Sequence, residues 1–267
     1  MTGSKFNEFV EIVKRLRAEC PWDKVQTNES IRAATLEEAY EVVEAIDNKD
    51  DDELKKELGD LLLHVVFHSV IASGENRFNI DEVIDLIQEK LIRRHPHIFG
   101  DTEAATADDV KRNWEAIKLT EAGRTSVLDG VPGMMPSLQR ASRLQEKASK
   151  VGFDWEKKED VWNKVIEEIN EMHDAEKKEN SDELEEEVGD VFFALTNYVR
   201  FLGINPEIAL RRTNEKFISR FQYIEKKINE SGRQINESNL EEMDKYWNES
   251  KANAKLEKSN GKTSTNS

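Results

Sequence analysis

KKELGDLLLHVV at Lys55–Val66 and EEEVGDVFFALT at Glu185–Thr196 are the stretches of sequence that decide the fold of this chain. Both place apolar residues at helical spacing around a Gly-Asp pair, which predicts two helices of the same kind. A second pair of similar stretches lies upstream: TLEEAYEVVEA at Thr35–Ala45 and VIEEINEMHDA at Val165–Ala175. In both pairs the second copy follows the first by 130 residues. Matches that recur in the same order at a constant separation indicate a duplicated helical unit.

The rest of the chain favours an all-α fold of two repeated helical-bundle domains. It has 12 glycines and 5 prolines in 267 residues, fewer turn residues than a β-rich fold needs. Their densest cluster, EAGRTSVLDGVPGMMPS at Glu121–Ser137, marks the connection between the halves. We therefore predict an N-terminal domain over 1–122, a linker over 123–137 and a C-terminal domain over 138–254. The tail at 255–267 has almost nothing to bury, so we expect it to be disordered.

The charge of the chain limits its partners. Its 39 Lys+Arg and 55 Asp+Glu residues leave a formal net charge of −16. Phosphate backbones and anionic lipid surfaces attract basic proteins, so we expect neither nucleic acid nor a membrane as a partner. No apolar stretch approaches the roughly 20 residues of a membrane span. The single cysteine, Cys20, cannot form an internal disulfide, which is typical of a reducing compartment, and we expect a cytoplasmic protein.

Each half also carries the carboxylate pattern E-E-x-x-E, followed sixteen residues later by E-x-x-D. Residues three apart on a helix are neighbours on one side, about 5–6 Å apart at Cβ. A short turn at Asn48–Asp52 makes the two helices antiparallel, so the two pairs face each other. Four carboxylates in one place repel strongly without a counter-ion, and an all-oxygen ligand set favours Mg²⁺ before Mn²⁺. The candidate metal ligands are Glu38, Glu41, Glu57 and Asp60 in the first half and Glu168, Glu171, Glu187 and Asp190 in the second.

The alternative interpretation is a solvated helix face, because E-E-x-x-E arises easily in a chain this acidic. Two further features favour a metal site. Asp60 and Asp190 lie inside apolar runs, so we expect both to be partly buried and to need a partner. Gly59 and Gly189 precede them, and glycine costs a helix about 1 kcal/mol relative to alanine. We therefore expect a neighbouring helix to approach closely at each glycine.

Basic and aromatic residues recur in later helices of both halves. Cations beside a magnesium–carboxylate cluster suit a polyphosphate, because the metal bridges phosphate oxygens and the side chains offset the remaining charge. A tryptophan in the same place can stack on a base. The candidates are Lys90, Arg93, Arg94, Trp114 and Lys118 in the first half and Lys216, Arg220, Trp247 and Lys251 in the second. His64 and His68 have the i, i+4 spacing of a zinc site, but H-E-x-x-H is absent, so we predict core or helix-face histidines.

Five motifs form a recognisable set. They are Cys20-Pro21-Trp22-Asp23, TLEEAYE at Thr35–Glu41, ELGD at Glu57–Asp60, RRHPHIF at Arg93–Phe99 and VGFDW at Val151–Trp155. Together they resemble the MazG family of nucleoside triphosphate pyrophosphohydrolases, over about Phe6 to Lys251. The resemblance implies an all-α homodimer of chains with two tandem MazG domains. It also implies Mg²⁺-dependent hydrolysis of NTPs and dNTPs to the monophosphate and pyrophosphate, as house-cleaning of the nucleotide pool.

The same resemblance implies roles for individual residues. The eight carboxylates would hold the metal. The implied substrate contacts are Arg93, Arg94 and Lys118 in the first half and Lys164, Lys216, Arg220, Trp247 and Lys251 in the second. Lys164 corresponds to Ala34 in the first half, so we favour the second half as the more active one. In our mechanistic hypothesis Mg²⁺ binds the triphosphate, and a second Mg²⁺, or Glu38 or Glu168 as the catalytic carboxylate, activates water.

Two alternatives stay open at this point. One is an all-α pyrophosphohydrolase of narrower range, acting on dUTP, dCTP or phosphoribosyl-ATP. The other is a helical interaction or regulatory protein whose first half is a degenerate copy.

Overall fold

Every regular element that the structure describes is helical. The structure is a computed structural model that describes residues 2–100, 106, 110, 117, 126–178 and 180–261, with the side chains of Thr2 and of residues 255–261 left out. The helices of the first half are α1 (Thr2–Glu19), α2 (Arg32–Asn48), α3 (Asp51–Gly74), α4 (Ile80–Arg94) and the single turn α5 (Pro96–Phe99). Those of the second half are α6 (Ser137–Ser149), α7 (Lys158–Lys177), α8 (Ser181–Phe201), α9 (Pro206–Glu230) and α10 (Leu240–Gly261). Short 3₁₀ turns lie at Asp23–Val25 and Ile235–Glu237.

The chain divides into two compact units, 1–122 and 123–267. In the first unit, α1 packs on α3, and the core is completed by a residue just before α2. The buried core residues are Val10, Val13, Ile31, Val66, Phe67 and Ile71. This core fixes α3, and α2 packs along α3 as the other arm of a hairpin.

A two-residue connection forces α2 and α3 to run antiparallel. Lys49 ends α2 in the left-handed conformation, with φ of 57°. Asp50 then caps α3, because its side chain accepts hydrogen bonds from the backbone N–H groups of Asp52 and Glu53. The short turn expected at Asn48–Asp52 is therefore present, and it sets the register between the two helices.

The second unit repeats this arrangement with α7 and α8. Asn180 caps α8 by accepting a hydrogen bond from the backbone N–H of Glu183. The buried side chain of Lys147 on α6 donates to the carbonyl oxygens of Val127 and Asp129, at 3.1 and 2.9 Å. These contacts hold the described part of the predicted linker against the second unit.

The last helix extends beyond the domain boundary expected at residue 254. The backbone of α10 stays helical to Gly261, within the segment where the composition predicts disorder. Apart from Asn253, residues 252–258 are alanine, lysine, leucine and glutamate, which are good helix formers and favour continuation of the helix. Residues 262–267 lie outside the described part of the chain.

Both units expose an apolar stripe at equivalent positions. Leu62 and Val65 on α3 are each 42% exposed, and Phe192 and Leu195, 130 residues later on α8, are 57% and 41% exposed. Leu58 continues the stripe in the first unit, where it is 50% exposed.

Of the helices described, none combines the length and the hydropathy that crossing a membrane requires.

Candidate functional site

The hairpin of the first unit gathers three carboxylates. Helix α2 contributes Glu38 and Glu41 from neighbouring turns, and α3 contributes Glu57 from the opposite arm. One carboxylate oxygen of each residue lies within 4.8 Å of the other two. Glu57 is only 8% exposed, so this group is not a solvated helix face.

The hairpin of the second unit gathers the equivalent three. Glu168 and Glu171 come from α7 and Glu187 from α8, again with ligand atoms within 4.8 Å of one another. Glu168 is 7% exposed. In each unit the structure thus brings together three of the four carboxylates proposed as metal ligands.

The fourth proposed ligand of each unit, and the glycine before it, are more exposed than the apolar runs of the sequence suggest. Asp60 and Asp190 are exposed, so the expectation of partial burial is wrong for the single chain. A Cβ added at Gly59 or Gly189 would meet no atom within 4 Å, so no other part of the described chain approaches closely there. The reason is that the apolar residues around each Asp are not all core: some form the exposed stripe. The charge of Asp60 nevertheless helps to raise the pKa of Glu38.

The first cluster holds more negative charge than it can offset. Burial raises the pKa of Glu57 to about 7, and hydrogen bonding with Glu53 and the charge of Glu41 add to the effect. Burial also raises the pKa of Glu38, with the charges of Glu41 and Asp60 as the next causes. A carboxyl group with a raised pKa is one whose ionised form lacks a partner, and a bound cation would supply it.

The second cluster contains a cation of its own. Lys164 Nζ lies 2.7 Å from Oε1 of Glu168 and 2.7 Å from Oε1 of Glu167. These carboxylates raise the pKa of Lys164. The pKa of Glu171 is also raised, first by its hydrogen bond with Glu168. Ala34 occupies the matching position in the first unit, so that position supplies no cation there.

The remaining candidates of the second unit form a separate group on α9 and α10. The Arg220 guanidinium lies over the Trp247 ring at 5.2 Å from its centroid. Phe217 packs against the same ring with centroids 5.3 Å apart. Lys216 and Lys251 are exposed on the same two helices. Among the described residues, no hydrogen bond or ion pair joins this group to the carboxylate cluster.

The candidates of the first unit are described only in part. Arg93 and Arg94 form the last turn of α4, where Arg93 is exposed and Arg94 is buried at 8% exposure. Lys118 lies outside the described residues. Of the proposed substrate contacts in the first unit, the structure therefore describes only the two arginines of α4.

Two histidines predicted to be core or helix-face residues lie on α3, partly buried, next to the first site. Thr35 Oγ1 lies 3.0 Å from Nδ1 of His64 and 2.9 Å from Nε2 of His68. Nε2 of His64 lies 3.8 Å from Oε1 of Glu38. Burial lowers the pKa of both histidines, which favours their neutral forms. The signal in the sequence was a threonine three residues before the catalytic candidate, together with the i, i+4 histidine pair on the facing helix.

Comparison with known proteins gives a consistent result. A family model described as the MazG nucleotide pyrophosphohydrolase domain matches the chain twice, at residues 26–99 and 156–224. The chain is 44% identical over 253 residues to the nucleoside triphosphate pyrophosphohydrolase/pyrophosphatase MazG of Thermotoga maritima, a match that covers 93% of this chain and 96% of that protein. It is 41% identical over 256 residues to the nucleoside triphosphate pyrophosphohydrolase of Escherichia coli, covering 93% and 97%.

A third relative shows the same two-unit segment inside a longer protein. The chain is 46% identical over 252 residues to the uncharacterized protein YabN of Bacillus subtilis, which covers 92% of this chain and 52% of that protein. Each of the two family-domain matches contains one complete three-carboxylate cluster. By its repeated domain and by relatives that match almost end to end, the chain is a hydrolase that belongs to the MazG nucleotide pyrophosphohydrolase family.

Proposed function

We propose that the chain hydrolyses nucleoside triphosphates, both NTPs and dNTPs, to the monophosphate and pyrophosphate, with Mg²⁺ as the metal. One observation carries the proposal: a three-carboxylate cluster, with one buried member, at the same place in both copies of a nucleotide pyrophosphohydrolase domain. The names of the full-length relatives support the reaction. The physiological role that fits it is removal of unwanted nucleotides from the pool.

The residues present suit a hard divalent cation. Each cluster offers oxygen ligands only, which favours Mg²⁺, with Mn²⁺ as a possible substitute. The raised pKa of Glu57 supports a cation as the missing partner of the first cluster. Asp60 and Asp190 remain proposed as fourth ligands, since Asp60 already influences Glu38 through its charge. When bound, the metal would offset the negative charge of the triphosphate oxygens.

We assign Glu38 and Glu168 as the carboxylates that take the proton from the attacking water. Water adds its oxygen to a phosphorus, the α–β anhydride bond breaks, and pyrophosphate leaves with the bridging electron pair. Glu38 lies in the cluster of the first unit, with a carboxylate oxygen within 4.8 Å of oxygens of Glu41 and Glu57. Glu168 is buried in the equivalent position.

We assign the basic and aromatic candidates to the substrate. Lys164 is the best supported, because its ammonium group already lies at the carboxylate cluster. Arg220 and Trp247 form a cation–aromatic surface that suits a phosphate and a base. Further proposed substrate contacts are Arg93, Arg94, Lys118, Lys216 and Lys251.

The direct test is product analysis with ATP and the other nucleotides in the presence of Mg²⁺. We expect pyrophosphate and the monophosphate in equal amounts, with loss of activity after chelation. Release of orthophosphate alone would contradict the proposal. Activity on a single nucleotide of the panel would instead favour the narrower pyrophosphohydrolase.

A regulatory first half is the second candidate, and one observation favours it. The first cluster has Ala34 where the second has the phosphate-binding candidate Lys164. If the first half has lost catalysis, replacing Glu38 by Gln leaves hydrolysis unchanged, whereas replacing Glu168 abolishes it.

We also propose that the chain forms a homodimer in the cytoplasm. The equivalent apolar stripes of α3 and α8 support it, since contiguous exposed apolar surface marks interaction sites. Gly59 and Gly189 adjoin these stripes and would let a partner helix approach closely. In a symmetric dimer, a second copy of the chain would cover the equivalent stripes of both units in the same way.

A further inference from the structure

A series of polar contacts leads from Arg77, through Asn28, His68 and Thr35, to His64 at the first carboxylate cluster. Thr35, two residues before the E-E-x-x-E motif, contacts both His64 and His68 through its hydroxyl. Asn28 Nδ2 lies 2.7 Å from Nδ1 of His68, and Arg77 donates to Oδ1 of Asn28. The Thr35 contacts join α2 to α3, and Asn28 and Arg77 add the segments before α2 and after α3. The contact nearest the carboxylates is that of His64, which lies beside Glu38.

One assignment of protons makes every contact in this series a hydrogen bond. Arginine can only donate, so Asn28 accepts at Oδ1 and donates at Nδ2, which makes Nδ1 of His68 an acceptor. Nε2 of a neutral His68 then carries the proton and donates to Thr35. The Thr35 hydroxyl itself donates to the carbonyl of Ile31, at 3.1 Å.

The same assignment determines the tautomer of His64. The hydroxyl hydrogen of Thr35 is used by Ile31, so its oxygen also accepts from Nδ1 of His64. Neutral His64 is therefore protonated at Nδ1 and bears a lone pair at Nε2. That lone pair faces the Glu38 carboxylate across 3.8 Å, too far for a direct hydrogen bond.

We propose that His64 is a water-positioning residue of the first site. Two acceptors 3.8 Å apart can share one water molecule, which donates one O–H to Nε2 of His64 and the other to Glu38. The lone pairs of that water then point away from both acceptors, which leaves its oxygen free to face a bound cation or a substrate. Thr35 is a positioning residue that acts through His64. The inference rests on the proposed function of the carboxylate cluster.

The second unit shows that the fold itself does not require these residues. Thr35, His64 and His68 correspond to Val165, Ala194 and Tyr198 at the constant separation of 130. There, Lys164 contacts the equivalent glutamate instead. The two sites thus hold the same carboxylates with different partners, a hydrogen-bond acceptor in one and a cation in the other.

The tautomer can be measured directly in the full-length chain. With ¹⁵N-labelled histidine, long-range ¹H–¹⁵N correlation spectra distinguish the two tautomers, and His64→Ala identifies the His64 signals. We expect the Nδ1–H form in the wild type. Thr35→Val, which introduces the residue of the second unit, should shift His64 toward Nε2–H. A wild-type His64 with a proton on Nε2, alone or on both nitrogens, would overturn the proposal.

Metal binding tests the role itself, with Mn²⁺ as the probe. In a Glu168→Gln, Glu187→Gln parent, which retains only the first site, His64→Ala should weaken Mn²⁺ binding about tenfold, as loss of an outer-sphere partner does. His64→Gln keeps an acceptor oxygen on the side chain and should recover part of the affinity. The exposed His173→Ala on α7 serves as the matched control and should bind as the parent does.

The outcomes separate this inference from the proposed function. If the parent binds Mn²⁺ and its His64→Ala variant binds Mn²⁺ equally well, only the role of His64 is contradicted. A parent that does not bind Mn²⁺, from a wild type that releases no pyrophosphate, contradicts the metal site and the inference together.

Discussion

Burial raises the pKa of Glu57 to about 7, from an ordinary value of 4.5, so the first site resists ionisation when it is empty of metal. In the second site the Lys164 ammonium lies 2.7 Å from Glu168 and supplies a positive charge permanently. The two copies therefore balance the same set of carboxylates by different means. Each difference has a consequence at the level of single residues.

Metal binding at the first site should release a proton below neutral pH. The ionised form of Glu57 is disfavoured in the metal-free fold, so this group lowers stability as pH rises from about 4.5 to about 7. Mg²⁺ needs the carboxylate ionised. In the Glu168→Gln, Glu187→Gln background, calorimetry in buffers of different ionisation enthalpy should therefore show proton release at pH 6 and almost none at pH 8.5. Equal release at the two pH values would contradict this assignment.

Replacing Lys164 should separate substrate binding from metal binding. Hydrogen bonds to charged groups contribute about 1.5–3 kcal/mol, so Lys164→Met should raise KM about tenfold or more. Binding of Mg²⁺ without substrate should not weaken, because the ammonium group competes with the metal for Glu168. Steady-state kinetics of a Glu38→Gln background measures this at the second site. Lys177→Met is the control, since Lys177 forms an exposed pair with Asp174. An unchanged KM in the Lys164→Met variant would exclude Lys164 from substrate binding.

The element that builds each site is a helical hairpin. Its tight connection brings three carboxylates together from two helices, with caps at Asp50 and Asn180 that start the second arm. The same second arms, α3 and α8, leave an apolar stripe exposed in the single chain. One element thus carries both the candidate ligands and the proposed dimer surface, so assembly and activity should depend on each other.

Charged substitutions in the stripe should separate the subunits. Leu62→Asp is expected to reduce the mass measured by light scattering from that of two chains to that of one. Helix content by circular dichroism should change little, because Leu62 is 42% exposed in the single chain. Leu240→Asp, at a 79% exposed leucine outside the stripes, is the matched control. A Leu62→Asp variant with the mass of the wild type would place the interface elsewhere.

At the scale of the molecule, the chain has two hairpins of one design and therefore two candidate active sites. The two hairpins belong to different compact units, since the chain divides between residues 122 and 123. Each unit contains its own match to the family domain. This organisation predicts that the sites can be inactivated one at a time.

Single Glu→Gln variants should assign the activity to the units. General-base catalysis contributes about 10²–10⁴-fold, so Glu168→Gln should remove nearly all turnover at the second site and Glu38→Gln nearly all at the first. We expect the larger loss from Glu168→Gln, because Lys164 serves that site. Pyrophosphate release over a panel of NTPs and dNTPs measures both, with the neighbouring exposed Glu37→Gln as control.

The result also tests the assignment of the carboxylates. Hydrolysis unaffected by either Glu38→Gln or Glu168→Gln would show that the chemistry lies elsewhere. Loss in only one of them would make the other unit structural or regulatory.

Helical periodicity, the sparse turn residues and the 130-residue repeat were enough to predict an all-α chain with two similar units, because these signals are local and recur. The i, i+3 spacing also placed Glu38 beside Glu41, since helix geometry alone decides that distance. Only tertiary packing decided the rest. Whether Asp60 is buried depends on which side of α3 faces the core, and an apolar run around a helix does not specify that side. The contacts of Thr35 with His64 and His68 span about thirty residues of sequence, and they form because the α2–α3 hairpin sets the register of its two arms.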